Sequence, residues 1–217
     1  MIRRLDLPDG AAAADAAGCM HAPSAARNLE PILAALLPAL PAAGRVLELA
    51  SGTGQHVAAL AAHRADLRFF PSEPDADRRA AVDARCRGLG NVAQARALDA
   101  CAPGWADGAE VEAVVAVNLL HLISDAEMAV LLDEAARAVA PGGLLALYGP
   151  FLRGGQATSE GDAGFHLHLR RQDPAIGLKE VEVVETVLGA LGFAVERRAM
   201  PANNLMLLAR KRRVAGL

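Results

Sequence analysis

A chain of 217 residues is long enough for one substantial α/β domain and short for two. Its 22 lysines and arginines stand against 25 acids, which gives no electrostatic reason to expect nucleic acid or an anionic membrane as a partner. Three widely spaced cysteines favour free thiols in a reducing compartment, and no apolar run reaches the ~18 residues of a membrane span. The composition therefore predicts a cytoplasmic protein that binds neither nucleic acid nor membrane.

Short apolar segments alternate with longer amphipathic segments along most of the chain. Apolar runs of roughly four to eight residues are typical of buried strands, and apolar residues three or four positions apart are typical of helices. The predicted strands are residues 45–50, 67–71, 92–98, 111–118, 144–150, 193–199 and 205–211. The predicted helices are residues 24–40, 55–64, 75–87, 125–139 and 179–191, the first with Ser24 as its N-cap.

The order of these elements predicts the fold class. Strands that alternate with helices imply right-handed crossovers, a parallel sheet and helices on both of its faces. The last two strands, joined by "MPANN", are too close for a crossover and must form an antiparallel hairpin. We therefore expect an α/β, Rossmann-like methyltransferase fold with a mostly parallel seven-stranded sheet. Residues 1–22 are predicted as a loose arm and 23–217 as a single domain, with a substrate-side insert at 151–178.

The segment "VLELASGTGQH" (residues 46–56) joins the first predicted strand to a helix through a turn of small residues. In an open α/β sheet, ligands bind beyond the carboxyl ends of the strands. A dinucleotide site uses G-x-G-x-x-G there, because the pyrophosphate lies against the backbone and the helix N-terminus. Here Gly52 and Gly54 are followed by Val57 in place of the third glycine. The turn therefore predicts a nucleoside without a pyrophosphate, and S-adenosylmethionine meets that description.

Three acids follow three successive predicted strands. Glu48 can accept from the ammonium of S-adenosylmethionine, Glu73 from both ribose hydroxyls, and Asp99 from the adenine amino group. Less specific interpretations stay open: Glu48 as a paired buried carboxylate, Glu73 as part of a turn, and Asp99 as a helix N-cap. The predicted cofactor-binding residues are Arg27, Glu48, Ala50, Gly52, Thr53, Gly54, Glu73, Pro74, Asp99, Asn118 and Leu119.

With these residues placed, residues 45–212 resemble the Rossmann-like S-adenosylmethionine-dependent methyltransferases. Nearly the whole chain resembles, more closely, the methyltransferase-like 26 family, a domain of unknown function. The stretches that carry the closer resemblance are "RNLEPIL" (27–33), "VLELASGTGQH", "PSEPD", "NLLHLI" (118–123), "PGGLLALYGPF" (141–151), "DPAIGL" (173–178) and "PANNL" (201–205). The resemblance implies the fold and the cofactor, but not the acceptor.

The chain departs from that family's pattern where the substrate is expected. Relatives usually have aspartate in place of Glu73, and tryptophans shortly after His121 and in place of Ile176. Where relatives read approximately F-D-x-S-L, this chain has Phe-His-Leu-His-Leu at residues 165–169. This chain lacks two aromatic side chains that relatives usually have, and it carries two imidazoles that they lack. The resemblance therefore does not imply for this chain an acceptor typical of the family.

Methyl transfer from a sulfonium is an in-line displacement, to which a general base is added when the acceptor is a hydroxyl, a thiol or a protonated amine. The candidate catalytic residues are His121, Tyr148, His166 and His168, of which the last two are interpreted as part of a lid over the acceptor. The candidate substrate-binding residues are Asn28, Phe151, Arg153, Asn203 and Asn204. Each imidazole could also be a packed or solvated histidine, and no set of ligands is spaced to build a metal site.

The sequence thus predicts an S-adenosylmethionine-dependent methyltransferase that acts on a small molecule as a monomer or homodimer. Two alternatives stay open: a protein of this fold that binds S-adenosylmethionine for a non-methylating reaction, and an interaction module without turnover. The signature of nucleic-acid adenine methyltransferases, Asn/Asp-Pro-Pro-aromatic, is absent, because Asn118 is followed by two leucines.

Overall fold

The computed structural model describes residues 5–7 and 13–213, so residues 1–4 and 8–12 of the predicted arm, and residues 214–217, lie outside the described part. The helices are α1 (Pro23–Leu36), α2 (Gln55–His63), α3 (Ala76–Arg85), α4 (Asp125–Ala138), α5 (Glu160–Gln172) and α6 (Val181–Ala190). The strands are β1 (Gly44–Leu49), β2 (Leu67–Pro71), β3 (Val111–Val117), β4 (Val139–Gly149), β5 (Phe151–Leu152), β6 (Lys179–Glu180), β7 (Phe193–Ala199) and β8 (Leu205–Lys211). A short 3-10 helix (Leu120–Leu122) follows β3.

Within the described residues, the central sheet has six strands in the order β2-β1-β3-β4-β8-β7. The pairs β1–β2, β1–β3 and β3–β4 are parallel, while β8 is antiparallel to both β4 and β7. This is the mostly parallel sheet with a C-terminal hairpin that the sequence predicts. The chain runs outward from β1 to β2 and returns to β3 on the other side of β1. The switch point, where such folds bind ligands, therefore lies at the carboxyl ends of β1 and β3.

The prediction of seven strands is wrong, because residues 92–98 do not form a continuous strand. This segment runs parallel to β2 and pairs with it at isolated bridges that involve Val92 and Arg96. Between the bridges, the amide of Ala95 donates to the Asp83 carboxylate of α3 at 2.7 Å instead of to the sheet. Alanine, glutamine and arginine also have little preference for strands. The segment therefore pairs with the edge of the sheet only at separate points and does not form a seventh strand.

Two elements differ from their predicted form near the carboxyl edge of the sheet. Helix α1 begins at Pro23, with Ala22 rather than Ser24 at its N-cap, because the fixed φ of proline suits the first helical position. The predicted insert 151–178 contains α5, a helix of 13 residues whose N-cap is Ser159. The insert is therefore an ordered helical segment and not a loop throughout.

Apolar side chains cover both faces of the sheet, as expected of a mainly parallel sheet. One face packs on α4 and α6, with Leu131 and Leu147 in its core, and the other packs on α1, α2 and α3, with Leu60 and Ala146 in its core. Across residues 5–7 and 13–213, no helix combines the length and hydrophobicity that a membrane crossing requires. The two cores hold the sheet rigidly, which fixes the positions of the residues at its carboxyl edge.

Candidate active site

The turn after β1 is built from alternate residues with positive φ. Ala50, Gly52 and Gly54 have φ angles of 51°, 58° and 74°. Between them, Ser51 donates its amide to the Ser72 carbonyl at 2.8 Å, which ties the turn to the end of β2. Glycine adopts this conformation without strain, whereas Ala50 carries a side chain that disfavours it. The turn therefore presents backbone, rather than bulky side chains, at the carboxyl edge of the sheet.

A cavity of about 290 Å³, which we call the Glu48 cavity, opens beside this turn. Nine of the eleven predicted cofactor-binding residues line it, namely Glu48, Ala50, Gly52, Thr53, Glu73, Pro74, Asp99, Asn118 and Leu119. These residues are far apart in the sequence, but most of them follow the carboxyl ends of β1, β2 and β3. The topology of the sheet collects them at the switch point.

Glu48 is a buried acid with an unfilled hydrogen-bonding position. The residue is 3 % exposed, and its Oε2 has no hydrogen-bond partner among the described residues. Burial raises the pKa of Glu48 to about 8; a hydrogen bond with Ser51 opposes this rise, and the nearby Glu73 carboxylate adds to it. A buried polar atom without a partner is costly, so this position fits a cationic group of a ligand.

Glu73 supports the turn from the end of β2. Its Oε2 accepts from the Gly52 amide at 2.9 Å, and its Oε1 accepts from the Asp75 amide at 3.2 Å. Burial raises the pKa of Glu73, while these two hydrogen bonds lower it. Each oxygen keeps further lone-pair capacity, so the carboxylate can still accept from hydroxyl groups. Asp99 is arranged similarly, because its Oδ1 accepts from the Cys101 amide at 3.0 Å.

A second cavity of about 470 Å³, which we call the Tyr148 cavity, adjoins the first. Four residues line both cavities, namely Leu7, Ser24, Asn118 and Leu122. The predicted residues that line the Tyr148 cavity are Arg27, Asn28, Asn118, His121, Tyr148 and Asn204. Its volume suits a small organic molecule. Because the cavities share walls, a ligand in one would lie directly beside a ligand in the other.

His121 lies in the 3-10 helix after β3, where the chain leaves the edge of the sheet. The residue is 6 % exposed, and its ring contacts that of Phe165 edge-on, with centroids 5.3 Å apart. Burial, assisted by the charge of Lys179, lowers the pKa of His121 to about 4. The imidazole is therefore neutral at neutral pH, and one of its nitrogens can accept a hydrogen bond or a proton.

The two histidines of the insert lie outside both cavities, which corrects their predicted placement. The Nδ1 of His166 accepts from the Leu178 amide at 3.1 Å, and the Nε2 of His168 lies 2.7 Å from the Asp6 carbonyl oxygen. The two imidazoles could share a face only if the segment were extended. The segment is helical, and positions two apart on a helix point to different sides.

Three predicted substrate residues also lie outside the Tyr148 cavity. Phe151 is buried in the core beneath α4 and α6. Arg153 donates to the carbonyl of Asn203 at 2.8 Å, so these two residues tie the insert to the C-terminal hairpin. The Nε of Arg153 is buried and has no hydrogen-bond partner among the described residues.

Two predicted cofactor residues need a different interpretation. Arg27 lines the Tyr148 cavity instead of the Glu48 cavity, together with Asn28 and Pro31 of the same helix. At Gly54, an added Cβ would lie 3.0 Å from the Cα of Val82, so this glycine allows α2 to approach α3 closely. Among the described residues, no group of three histidine, cysteine or acidic side chains could hold a metal ion.

Several residues that line the cavities carry little signal in the sequence. Leu5 and Leu7 of the predicted arm line the Glu48 cavity, and Leu7 lines the Tyr148 cavity as well. The Asp6 amide between them donates to the Gln172 side chain of α5 at 2.7 Å. His56, the second residue of α2, also lines the Glu48 cavity. The alternation Leu-Asp-Leu in the arm is the one local sign that two of these side chains face inward.

Helix α5 contributes Asp162 and Phe165 to the Tyr148 cavity. These residues lie three positions apart and thus on one face of the helix, which continues into the core at the buried Leu169. A capping pattern is present in the sequence, because Ser159 precedes Asp162 by three positions and accepts from its amide at 3.1 Å. The insert therefore lines the Tyr148 cavity, but through side chains other than its histidines.

The strand order, the switch-point turn and the C-terminal hairpin are those of a Rossmann-like methyltransferase fold, and solved structures show the same fold. An O-methyltransferase family protein from Burkholderia thailandensis matches with a TM-score of 0.78 and 20 % identity, over 88 % of this chain and 58 % of the other. An O-methyltransferase family 2 protein from Planctomyces limnophilus, in complex with apigenin, matches with a TM-score of 0.73 and 16 % identity, over 87 % and 58 %. Human N-acetylserotonin methyltransferase, in complex with S-adenosylmethionine, matches with a TM-score of 0.69 and 15 % identity, over 87 % and 53 %.

This chain spans somewhat more than half the length of those proteins, and at these identities the likeness shows the fold alone. A family is nevertheless established from the sequence. Residues 19–211 match the family described as "Protein of unknown function (DUF938)", and the chain belongs to that family. The resemblance to the methyltransferase-like 26 family is not part of this match and stays a prediction.

Proposed function

We propose that this protein is an S-adenosylmethionine-dependent methyltransferase that acts on a small-molecule acceptor. The observation that carries the proposal is the buried, unpartnered Oε2 of Glu48 in a cavity that shares walls with a second cavity. A sulfur nucleoside with an ammonium group would supply the missing partner, and its methyl group could meet an acceptor held next to it. The complex of human N-acetylserotonin methyltransferase with S-adenosylmethionine supports this use of the fold, as does the resemblance to the methyltransferase-like 26 family.

The residues of the Glu48 cavity fit the parts of this cofactor. Glu48 would accept from the ammonium, Glu73 from the ribose hydroxyls and Asp99 from the adenine amino group, as the order of the strands predicts. The turn at Gly52 leaves room for the amino-acid end against the backbone. Apart from the two chain neighbours of Gly52, the nearest described atom to an added Cβ there would be the carbonyl oxygen of Ala50, at 4.0 Å. When bound, S-adenosylmethionine supplies an electrophilic methyl group.

The remaining chemistry belongs to the Tyr148 cavity. Neutral His121 can take a proton at a ring nitrogen from an acceptor hydroxyl or thiol, which would make the acceptor nucleophilic. An acceptor carboxylate would need no such base. Leu7 lines both cavities and would help to exclude water at the point where they meet. The residues of this chain thus divide the proposed site into a cofactor side and an acceptor side.

Cofactor identity is the first test. We expect S-adenosylmethionine and S-adenosylhomocysteine to bind at micromolar concentrations and to raise the melting temperature by mass action. Isothermal titration calorimetry and thermal denaturation measure both effects, with NADH as the control ligand. Binding of NADH without a response to either sulfur nucleoside would overturn the proposal. Formation of S-adenosylhomocysteine in the presence of a metabolite pool distinguishes methyl transfer from a non-methylating reaction and from a module without turnover.

A second prediction concerns His121 as the base. Because the pKa of His121 is about 4, the imidazole is already deprotonated well below neutral pH. Turnover that depends on it should stay nearly constant from roughly pH 7.5 down to pH 5.5, where an unperturbed imidazole would lose most of its activity. The variant His121→Gln should lower kcat at least ~10-fold without weakening cofactor binding. A wild-type profile with an acid limb near pH 6.5, or a variant with full turnover, contradicts this role.

A further inference from the structure

Residues 5–7, which we call the strap, lie at the boundary between the two cavities. The side chains of Leu5 and Leu7 line the Glu48 cavity, and Leu7 lines the Tyr148 cavity as well. Both leucines also pack against a small apolar cluster of the insert, namely Leu169, Ile176 and Leu178. The strap therefore forms part of the wall of each cavity, although the residues that it covers lie far away in the sequence.

Helix α5 holds the strap through the backbone of Asp6. The Oε1 of Gln172 accepts from the Asp6 amide at 2.7 Å, and the Nε2 of Gln172 donates to the Asp6 carbonyl at 2.9 Å. A side-chain amide has both a donor and an acceptor, so Gln172 pairs with Asp6 as a neighbouring strand would. The Nε2 of His168 donates to the same carbonyl oxygen at 2.7 Å, since that oxygen can only accept. Gln172 and His168 are four positions apart and lie on one face of α5.

The attachment of the strap is of a kind that breaks and re-forms easily. Asp6 and Gln172 are exposed, and Leu5 and Leu7 are only partly buried. Exposed hydrogen bonds and few buried apolar contacts are features of segments that open locally at low free energy. The attachment also lies on α5, outside both cavities, so it can open without any change to the sheet or to the turn at Gly52.

We propose that the strap gates the Glu48 cavity and that Gln172 is the latch that holds it closed. A nucleoside would enter and leave while the hydrogen bonds between Gln172 and Asp6 are broken, and Leu7 would return to the boundary of the cavities when they re-form. Gln172 is a positioning residue, because it acts through the strap. The identity of the nucleoside rests on the proposed function, whereas the latch is a property of the protein without ligands.

A gate has a kinetic signature that damage to a binding site does not have. If the latch stabilises the closed strap equally with and without ligand, weakening the latch raises the association and dissociation rates by the same factor. The dissociation constant then stays unchanged, because the ratio of the two rates defines it. A substitution that merely distorts the site raises the dissociation constant and does not accelerate association.

The variant Gln172→Met tests the latch. Methionine has a similar length and helix propensity but makes neither hydrogen bond to Asp6. In the protein without ligand, hydrogen exchange of the Asp6 amide, followed by NMR, should be at least ~10-fold faster, since two hydrogen bonds are lost. Surface plasmon resonance should show that S-adenosylhomocysteine associates and dissociates roughly 10-fold faster, with a dissociation constant within about 3-fold of wild type. Arg171→Met places the same residue at the exposed neighbouring position and should change none of these quantities.

Leu7→Ala provides a contrast, because it removes part of the cavity wall instead of the latch. Loss of a contact with the bound nucleoside should raise the dissociation rate more than the association rate, so the affinity should fall. Gln172→Met and Leu7→Ala therefore differ in whether the dissociation constant changes, which separates the latch from the wall.

Two results would overturn the gate. Unchanged exchange of the Asp6 amide in Gln172→Met would show that Gln172 does not hold the strap. Faster exchange together with unchanged rates for S-adenosylhomocysteine, or with weaker affinity and no faster association, would show that the strap does not control entry. Failure of the wild type to bind S-adenosylhomocysteine would overturn the proposed function and this gate together, and it is recognised before any variant is compared.

Discussion

Glu48→Gln is expected to weaken the binding of S-adenosylmethionine roughly 10- to 100-fold, since a hydrogen bond between charged groups contributes about 1.5–3 kcal/mol. The substitution keeps the shape of the side chain but removes the negative charge that would face the ammonium. Titration calorimetry measures the loss directly. Glu110→Gln removes an exposed acid and serves as the matched control. Wild-type affinity in folded Glu48→Gln contradicts the proposed position of the ammonium group.

Proton release provides a sharper signature of the same residue. With a pKa of about 8, Glu48 is largely protonated at pH 7 in the protein without ligand. A cation bound beside it favours the ionised form, so binding should expel close to one proton at pH 7. Calorimetry in buffers of different ionisation enthalpy counts this proton, and Glu48→Gln should not release it. Binding of the cofactor without proton release in the wild type would show that Glu48 does not face the cation.

The same residue makes the ligand-free protein sensitive to alkaline pH. The pKa of Glu48 is about 8 in the folded state, against 4.5 for a glutamate in water, so the folded state binds the extra proton between these values. Stability from this group is complete below pH 4.5 and is lost as the pH rises through 8. Each pKa unit corresponds to about 1.4 kcal/mol, so Glu48→Gln should be more stable than wild type at pH 9 by a few kcal/mol. The melting temperature without ligand, measured from acid to alkaline pH, tests this reversal.

The buried histidines change the stability with pH in the direction opposite to that of Glu48. His56 and His121 have pKa values of about 4 in the folded state, below the ordinary histidine value of 6.5. Their contribution to stability is complete above pH 6.5 and is lost as the pH falls through 4. These three groups together place the maximum stability of the ligand-free wild type near neutral to slightly acidic pH. In Glu48→Gln the part of the decline that Glu48 causes disappears while the acidic decline remains, so the two causes can be separated.

The sheet and the acids at its edge can be predicted because they depend on local patterns and on one general rule. Runs such as residues 45–50 and 111–118 are mostly apolar, since both faces of a parallel strand are buried. The carboxyl ends of parallel strands meet at one edge, so Glu48 and Glu73 are expected to lie together. Residues 92–98 contain small and polar residues, as surface segments do. The contact that decides their conformation, between Ala95 and Asp83 of α3, is a tertiary one. That contact leaves no trace in the local sequence.

The lining of the Tyr148 cavity is harder to predict because helix α5 supplies part of it. The two glycines in "EGDAGFHLHLRRQ" (160–172) weaken the helical pattern, and an extended interpretation places the imidazoles together. Once the segment is helical, Asp162 and Phe165 face the cavity and the two histidines do not. The position of His56 escapes prediction for a different reason. Its partner Asn28 lies 28 positions earlier and meets it through the packing of α1 on α2.

Gly52→Val is expected to reduce cofactor affinity at least ~10-fold, about 1.4 kcal/mol, with the fold retained. Gly52 has a φ of 58°, a conformation that a β-branched residue adopts only with strain. An added Cβ would meet no protein atom closer than 4.0 Å, so the valine methyl groups would project into the Glu48 cavity rather than into the core. Under the proposed function, this is the space where the amino-acid end of the cofactor would approach the backbone.

Backbone strain alone has to be separated from blockage of the cavity, and Gly88→Val provides the control. Gly88 also has a positive φ, 90°, and an added Cβ there meets nothing within 4 Å, but the residue lies on the surface after α3. Both variants should lose stability by roughly 1–2 kcal/mol from the strained backbone. Gly52→Val alone should lose affinity for S-adenosylhomocysteine in calorimetry. Equal affinities in the two folded variants would mean that the ligand does not approach the turn at Gly52, because strain would then be the whole effect of the substitution.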